Sequence, residues 1–409
     1  MPLVLQGAPL IDGTGRDAHA ATIVVDGERI ATVSESTPAP MADAEVLDLD
    51  GLTVLPGLID AHTHLGIVES MHMAAIPLAV IAAQMFGNAE RCLLSGHTTA
   101  REVAGADGGL RQAIDMGAIP GPRLYPSGPL ISQTGGHGDH WFPWLDHHHQ
   151  PFFGVAGLSQ PFEVANGPDE IRLAVRNAFK HGATQIKLCV SGGVVSLTDS
   201  LSDTQLTVDE MRAAVEEATA RGTYVTAHCL NVRALENGLE AGLQCFEHGV
   251  GLDEKTAAKV AAAGAAIVPT LTVIELMFEM YEEWGIDPIV LPKARVVLDD
   301  AKNSLRIAHE AGVKIGSGSD ELGPAQNRRG LEIALKAEII GAMNAIVSAT
   351  RTNAEIMRID DKLGTVEEGK LADLIAIEGD PLANPRIFDD PDNVKVVIKG
   401  GEVVKDIRN

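Results

Sequence analysis

This sequence is poor in cysteine, aromatic residues and positive charge. Its four cysteines, Cys92, Cys189, Cys229 and Cys245, are scattered without a Cys-x-x-Cys spacing, which argues against a disulfide framework or a zinc ribbon. Aromatics reach only 4%. Lys and Arg number 32 against 56 Asp and Glu, a formal net charge of −24. That field repels polyanions, so no nucleic acid is expected as a partner, and the plain reading of the excess is a solvated acidic surface. No apolar run approaches the ~20 residues that span a bilayer, so no membrane partner is expected. The opening Met1-Pro-Leu-Val-Leu-Gln-Gly has neither a basic stretch nor a long apolar one, which predicts no signal peptide and a cytoplasmic protein.

Glycine is plentiful, at 42 of 409 residues, and the chain is too long for one small core. Residues 1–56 read as short strands and turns. Two β-rich runs around Asp26-Gly27 predict a hairpin, and the tail 362–409 repeats the style around Gly400-Gly401. These end segments can pair into one small β-sandwich domain. Between them, 57–361, short apolar runs alternate with helical stretches such as 207–221 and 293–311. The runs are 54–60, 98–103, 123–127, 185–190, 224–229, 244–249, 266–271 and 314–318. Eight of them alternating with helices predict an α/β fold, a (β/α)8 TIM barrel. An open doubly wound sheet is the alternative, but no Gly-x-Gly-x-x-Gly follows the first run.

The C-terminal strand ends of such a barrel face its active site. Read to their ends, the runs supply His62 and His64, then Lys187, His228, His248 and Asp320. His62 and His64 are two apart and share a face of an extended strand, which makes half of a nitrogen/oxygen metal site. Each element alone is weak: His-x-His pairs are common, a strand lysine can simply be ion-paired, and an Asp after glycine is commonly a cap. Burying all six together without a cation costs far more than any one of them, so a metal site is expected. A barrel that had lost its chemistry would also have lost ligands.

Leu55-Pro-Gly-Leu-Ile-Asp-Ala-His-Thr-His64 resembles the first-strand signature of the amidohydrolase superfamily, and Gly364-Thr-Val-Glu-Glu-Gly-Lys-Leu-Ala-Asp-Leu-Ile its return to the β domain. Thr98-Thr-Ala-Arg-Glu, Ser132-Gln-Thr-Gly-Gly-His-Gly-Asp139, Gln185-Ile-Lys-Leu-Cys-Val-Ser-Gly-Gly193 and Phe246-Glu-His-Gly are similar to the imidazolonepropionase-related branch. That branch contains binuclear prolidases, other dipeptidases and hydrolases of xenobiotic amides and ureas. The resemblance implies two divalent metal ions, zinc first, with cobalt or manganese able to share the ligands. His62 and His64 would hold one with Asp320, and His228 and His248 the other. Lys187, carboxylated by CO2, would bridge them. Asp320 would be general base and acid to a metal-activated hydroxide, and His137 would polarise the scissile carbonyl. The implied reaction is cleavage of an amide or peptide C–N bond in a dipeptide, N-acyl amino acid or related carboxamide. The typically mononuclear deaminases of cyclic amidines fit less well, because the fourth run carries a lysine. Cys189 reads as a small buried hydrophobe.

Two departures loosen the substrate. Prolidase-like members carry a Tyr two residues after the fifth-run His, where this chain has Leu230. The segment Trp141-Phe-Pro-Trp144-Leu-Asp-His147-His-His149 follows His137 and reads as an aromatic lid or as a rim or subunit contact. Trp141, Trp144, Leu230, Gly192 and Gly193 are the expected substrate contacts. Leu230 and the aromatics favour the alternative of an aryl amide, urea, carbamate or lactone-like ester. Ile274, Met277, Phe278, Tyr281 and Trp284 form an apolar helical stripe, expected to be core or oligomer contact before pocket. A homo-oligomer acting on a small molecule is the expected assembly.

Overall fold

The computed structural model describes the whole chain except residues 36–43, 70–75, 140–153, 156 and 409. Eight strands form the barrel: Leu58–Thr63 (β1), His97–Glu102 (β2), Arg123–Pro126 (β3), Ile186–Cys189 (β4), Val225–Cys229 (β5), Cys245–His248 (β6), Ala266–Val268 (β7) and Lys314–Ile315 (β8). β1 to β3 pair in parallel, as do β4 to β8. Backbone hydrogen bonds close the ring. Thr184 N donates to Pro126 O at 2.7 Å between β3 and β4, and Ala61 N donates to Ser317 O at 2.9 Å between β8 and β1. Asn353 reinforces that second seam, its Nδ2 donating to both Ile59 O and Ser317 O. Strands covered on both faces need apolar side chains outward and inward. Ile186, Leu188, Ala227 and Phe246 are all fully buried.

The helices between them follow local signals. The run expected over 207–221 is the helix Val208–Ala220, started by a capping box: Thr207 Oγ1 accepts from Glu210 N, and Glu210 Oε2 accepts from Thr207 N at 2.6 Å. Such caps contribute about 1 kcal/mol. The helix buries Met211, Ala214 and Ala218, the spacing of one helical face. The run over 293–311 is the helix Leu291–Glu310.

Two departures from the expected runs bear on the site. The run 54–60 divides at Gly57. Leu52–Pro56 pairs antiparallel with Leu374–Glu378 in the β domain, while Leu58–Thr63 enters the barrel. Gly57 N donates to Asp373 O, and a Cβ there would lie 2.1 Å from Thr98 Oγ1. Only glycine lets the chain pass so close to β2. Leu130–Ser132 is an additional short strand parallel to β4, with Leu130 opposite Lys187. It delivers the 132–139 segment to the barrel mouth.

Both chain ends contribute to a six-stranded sheet, ordered Glu402–Asp406, Val394–Lys399, Leu374–Glu378, Leu52–Pro56, Pro9–Leu10, His19–Ala20. A four-stranded sheet from Leu3–Gln6, Thr22–Asp26, Arg29–Ser34 and Glu45–Asp48 lies against it. Leu5, Leu10, Val25, Val54, Leu374 and Val396 belong to one shared core. The Asp26-Gly27 hairpin and the Gly400-Gly401 turn are both present. Among the described residues, no helix is long and apolar enough to cross a membrane.

Candidate metal centre

β1 carries His62 into the barrel interior, with His64 just past its end. His62 is 1% exposed and His64 8%. Their Nε2 atoms lie 3.2 Å apart, and Asp320 Oδ1 lies 3.4 Å from the first and 3.1 Å from the second. The other ring nitrogens are committed. His64 Nδ1 is 2.8 Å from the carbonyl of Ala104, which can only accept. His62 Nδ1 is 2.7 Å from Glu247 Oε2. Burial raises the pKa of Glu247, but the charges of Arg101 and Lys187 and the contact with His62 together outweigh it and hold the carboxyl well below the usual range. Both imidazoles therefore carry their proton at Nδ1 when neutral. Two lone pairs and a carboxylate oxygen then face one another with no proton between them. Acceptors so arranged are satisfied by a cation, so the donor set fits a metal ion.

His248 joins this group. Ligand atoms of His62, His248 and Asp320 all lie within 4.8 Å of one another, and His248 Nδ1 is 2.7 Å from Thr270 Oγ1. Strand alternation would turn His248 outward with Phe246, which packs on the helix layer. A left-handed backbone, φ 67°, turns it inward instead. Asp320 is also left-handed, at φ 56°. Non-glycine residues in this region are uncommon and gather at functional sites. His228 on β5 completes the cluster, its ring centroid 4.6 Å from that of His248, and its Nε2 is 3.2 Å from Gly192 O. Lys187 lines the same cavity and is 2% exposed. Burial lowers its pKa.

His137 stacks on His228 with centroids 4.3 Å apart. Its Nδ1 is 2.9 Å from Ser196 Oγ, which in turn donates to Asp199 Oδ1. A hydroxyl that donates onward accepts from the histidine, so the neutral ring is protonated at Nδ1 and its Nε2 is an acceptor. Burial, then the charge of Lys293, push its pKa down to about 3. A neutral ring of this tautomer presents Nε2 as an acceptor towards the cavity. Lys293 fixes this latch from the helix Leu291–Glu310. Its Nζ donates to Gly193 O at 3.1 Å, Ser196 O at 2.9 Å and Asp199 O at 2.7 Å.

Of the expected substrate contacts, Leu230 lines the cavity. Gly192 and Gly193 do not. They lie behind the histidines, where a Cβ on Gly193 would fall 2.2 Å from the His137 ring. Trp141, Trp144 and the histidine run lie outside the described residues. Ile274, Met277 and Trp284 belong to the core, as expected, and the first two also line the cavity. Cys189 is fully buried with its thiol pKa pushed up by burial.

The sequence reading missed Glu247, Thr270, Ser196, Asp199 and Lys293. Glu247 lay inside a quoted motif. The link from Lys293 to Gly193 spans 100 positions, and no local pattern signals it.

The sequence model of the amidohydrolase family matches residues 53–404. The chain is 29% identical to ochratoxinase of Aspergillus niger, over 98% of this chain and 86% of that protein. It is similar to the crystal structure of a prolidase complexed with N-methylphosphonate-L-proline, with 36% identity, a TM-score of 0.93, and 99% of this chain and 100% of that one covered. A Xaa-Pro dipeptidase with methionine bound in its active site gives 32% identity, a TM-score of 0.88, and coverage of 99% and 100%.

Proposed function

The chain belongs to the amidohydrolase family, and from that premise we propose that it is a binuclear metal-dependent enzyme cleaving the C–N bond of a carboxamide. Family and relatives make it a hydrolase acting on C–N bonds. The observation that carries the metal reading is the convergence of His62 Nε2, His64 Nε2 and Asp320 Oδ1 within 3.4 Å of one another.

His62, His64 and Asp320 are the residues for one ion, and His228 and His248 for the other. Lys187, carboxylated on its amine, would help hold both ions, since an ammonium there would repel them. Burial favours its neutral amine, the form that combines with CO2. Zinc is the first choice for this nitrogen-rich donor set. Divalent ions bound here lower the pKa of water to about 7 and polarise a carbonyl.

The chain's own residues do the rest. Asp320 turns Oδ1 to His62 and His64, leaving Oδ2 to take the proton of the attacking water and pass it to the leaving nitrogen. His137 Nε2, as an acceptor, orients the substrate N–H. Water oxygen joins the acyl carbon, the C–N bond breaks, and the nitrogen leaves protonated.

Metal analysis of protein purified without chelator tests this reading. Close to two divalent ions per chain are expected, with Lys187→Ala inactive and partly restored by small carboxylic acids. A chain without stoichiometric metal, or full Lys187→Ala activity without added acid, overturns it.

A further inference from the structure

The cavity above the metal centre, about 950 Å³ with its open mouth, separates polar from apolar surface. Its polar groups gather around the centre: the histidines, Lys187, Asp320 and Thr270. Its walls come from several elements and are apolar, among them Leu130, Val194, Leu230, Val273, Ile274 and Met277. Among the described residues lining it, Lys187 is the only Lys or Arg, and it belongs to the metal centre. Lys293 cannot serve as a counter-ion, because its Nζ is taken up by the carbonyls of Gly193, Ser196 and Asp199. Arg233 lines a different, polar hollow with Gln133 and Asp203. The segments 36–43, 70–75 and 140–153 contain no Lys or Arg in their sequence, so they hold none to add.

A carboxylate moved from water against such walls, away from the metal centre, loses its hydration and meets no Lys or Arg among the described residues. The net charge of −24 further disfavours an approaching anion. An aryl or branched alkyl group meets the opposite situation and gains by burial.

We propose that this site takes carboxamides whose substituents on both sides of the scissile bond are uncharged and apolar, rather than dipeptides or N-acyl amino acids that carry a free carboxylate. This rests on the amide-hydrolase reading above. The reaction consumes one water and yields a carboxylic acid and an amine. The acid's charge appears only after cleavage, and the apolar walls then favour its release.

The test compares the metal-loaded enzyme on hexananilide, its para-carboxylate analogue and the dipeptide Leu-Pro. The neutral anilide is expected to have kcat/KM about 100-fold or more above both anions. Leu230→Arg is expected to narrow the ratio between the two anilides about 10-fold by supplying the missing cation. Equal or faster cleavage of either anion overturns the inference and leaves the amide-hydrolase reading standing. Cleavage of none of the three overturns that reading instead. In that case calorimetry with the two anilides still decides the inference, tighter binding of the neutral compound supporting it and tighter binding of the carboxylate overturning it.

Discussion

Glu247 accepts from His62 Nδ1 at 2.7 Å through one carboxylate oxygen and from Arg101 at 2.6 Å through the other. Neither Glu247 nor Arg101 is exposed. One carboxylate thus fixes the tautomer of His62 and neutralises a buried guanidinium. Glu247→Gln keeps the shape and places an N–H against a donor on one side. Metal affinity is expected to fall about 10- to 100-fold. Stability is expected to fall by about 3–5 kcal/mol, because Arg101 is left uncompensated. Metal titration beside chemical denaturation checks both. A loss of stability with unchanged metal affinity would limit Glu247 to a structural role.

Removal of metal should be visible in stability as well as activity. Ligand atoms crowded within 4.8 Å repel one another until a cation joins them. Binding to the folded state alone adds about 2.7 kcal/mol at a metal concentration 100 times Kd. Thermal denaturation after chelation should show a lower Tm that returns stepwise with added zinc. A Tm indifferent to both treatments would count against the site.

The barrel and most of the residues clustered at its mouth were legible because strand ends in this fold carry the chemistry, and short β runs between helices mark those ends. His62, His64 and Lys187 could be read from alternation alone. His248 could be read only from its motif, since its inward direction depends on a left-handed φ of 67° that sequence does not display. Leu130–Ser132, three residues long, was too short for a periodic signal, although it positions the segment bearing His137. The Gly57 division was hidden because apolar residues continue on both sides of it. Lys293 sits on a helix whose pattern places charge in solvent, and its carbonyl partners exist only once the loop is folded over it.

His97 predicts an acid-sensitive fold. It is 3% exposed and hydrogen-bonded through Nδ1 to Ser95 Oγ at 3.0 Å. Burial pushes its pKa from 6.5 down to about 4. Between those values the unfolded chain binds a proton that the folded chain does not, so stability falls as pH drops from 6.5 towards 4. The full difference is on the order of 3 kcal/mol. Urea denaturation at pH 7 and pH 4.5 should show a smaller acid loss in His97→Gln than in wild type. An identical loss in both proteins would mean that His97 does not set the dependence.

Ser196 offers the sharpest test of the His137 assignment, because it acts through the ring and not on substrate. Its hydroxyl accepts from Nδ1 at 2.9 Å and donates to Asp199. Ser196→Ala removes the group that fixes the tautomer while Lys293 still holds the loop through backbone carbonyls. The neutral ring can then place its proton on either nitrogen, and Nε2 presents an acceptor only part of the time. A secondary anilide, which has an N–H for Nε2 to receive, should lose about 10-fold in kcat. Its N-methyl counterpart has no such proton and should change little. Gly193→Ala displaces the ring itself, since the added Cβ would lie 2.2 Å from it, and should depress both substrates together. If Ser196→Ala slows the two anilides equally, the serine merely supports the loop. If it speeds both, the ring acts as a donor to the carbonyl and the tautomer argument fails.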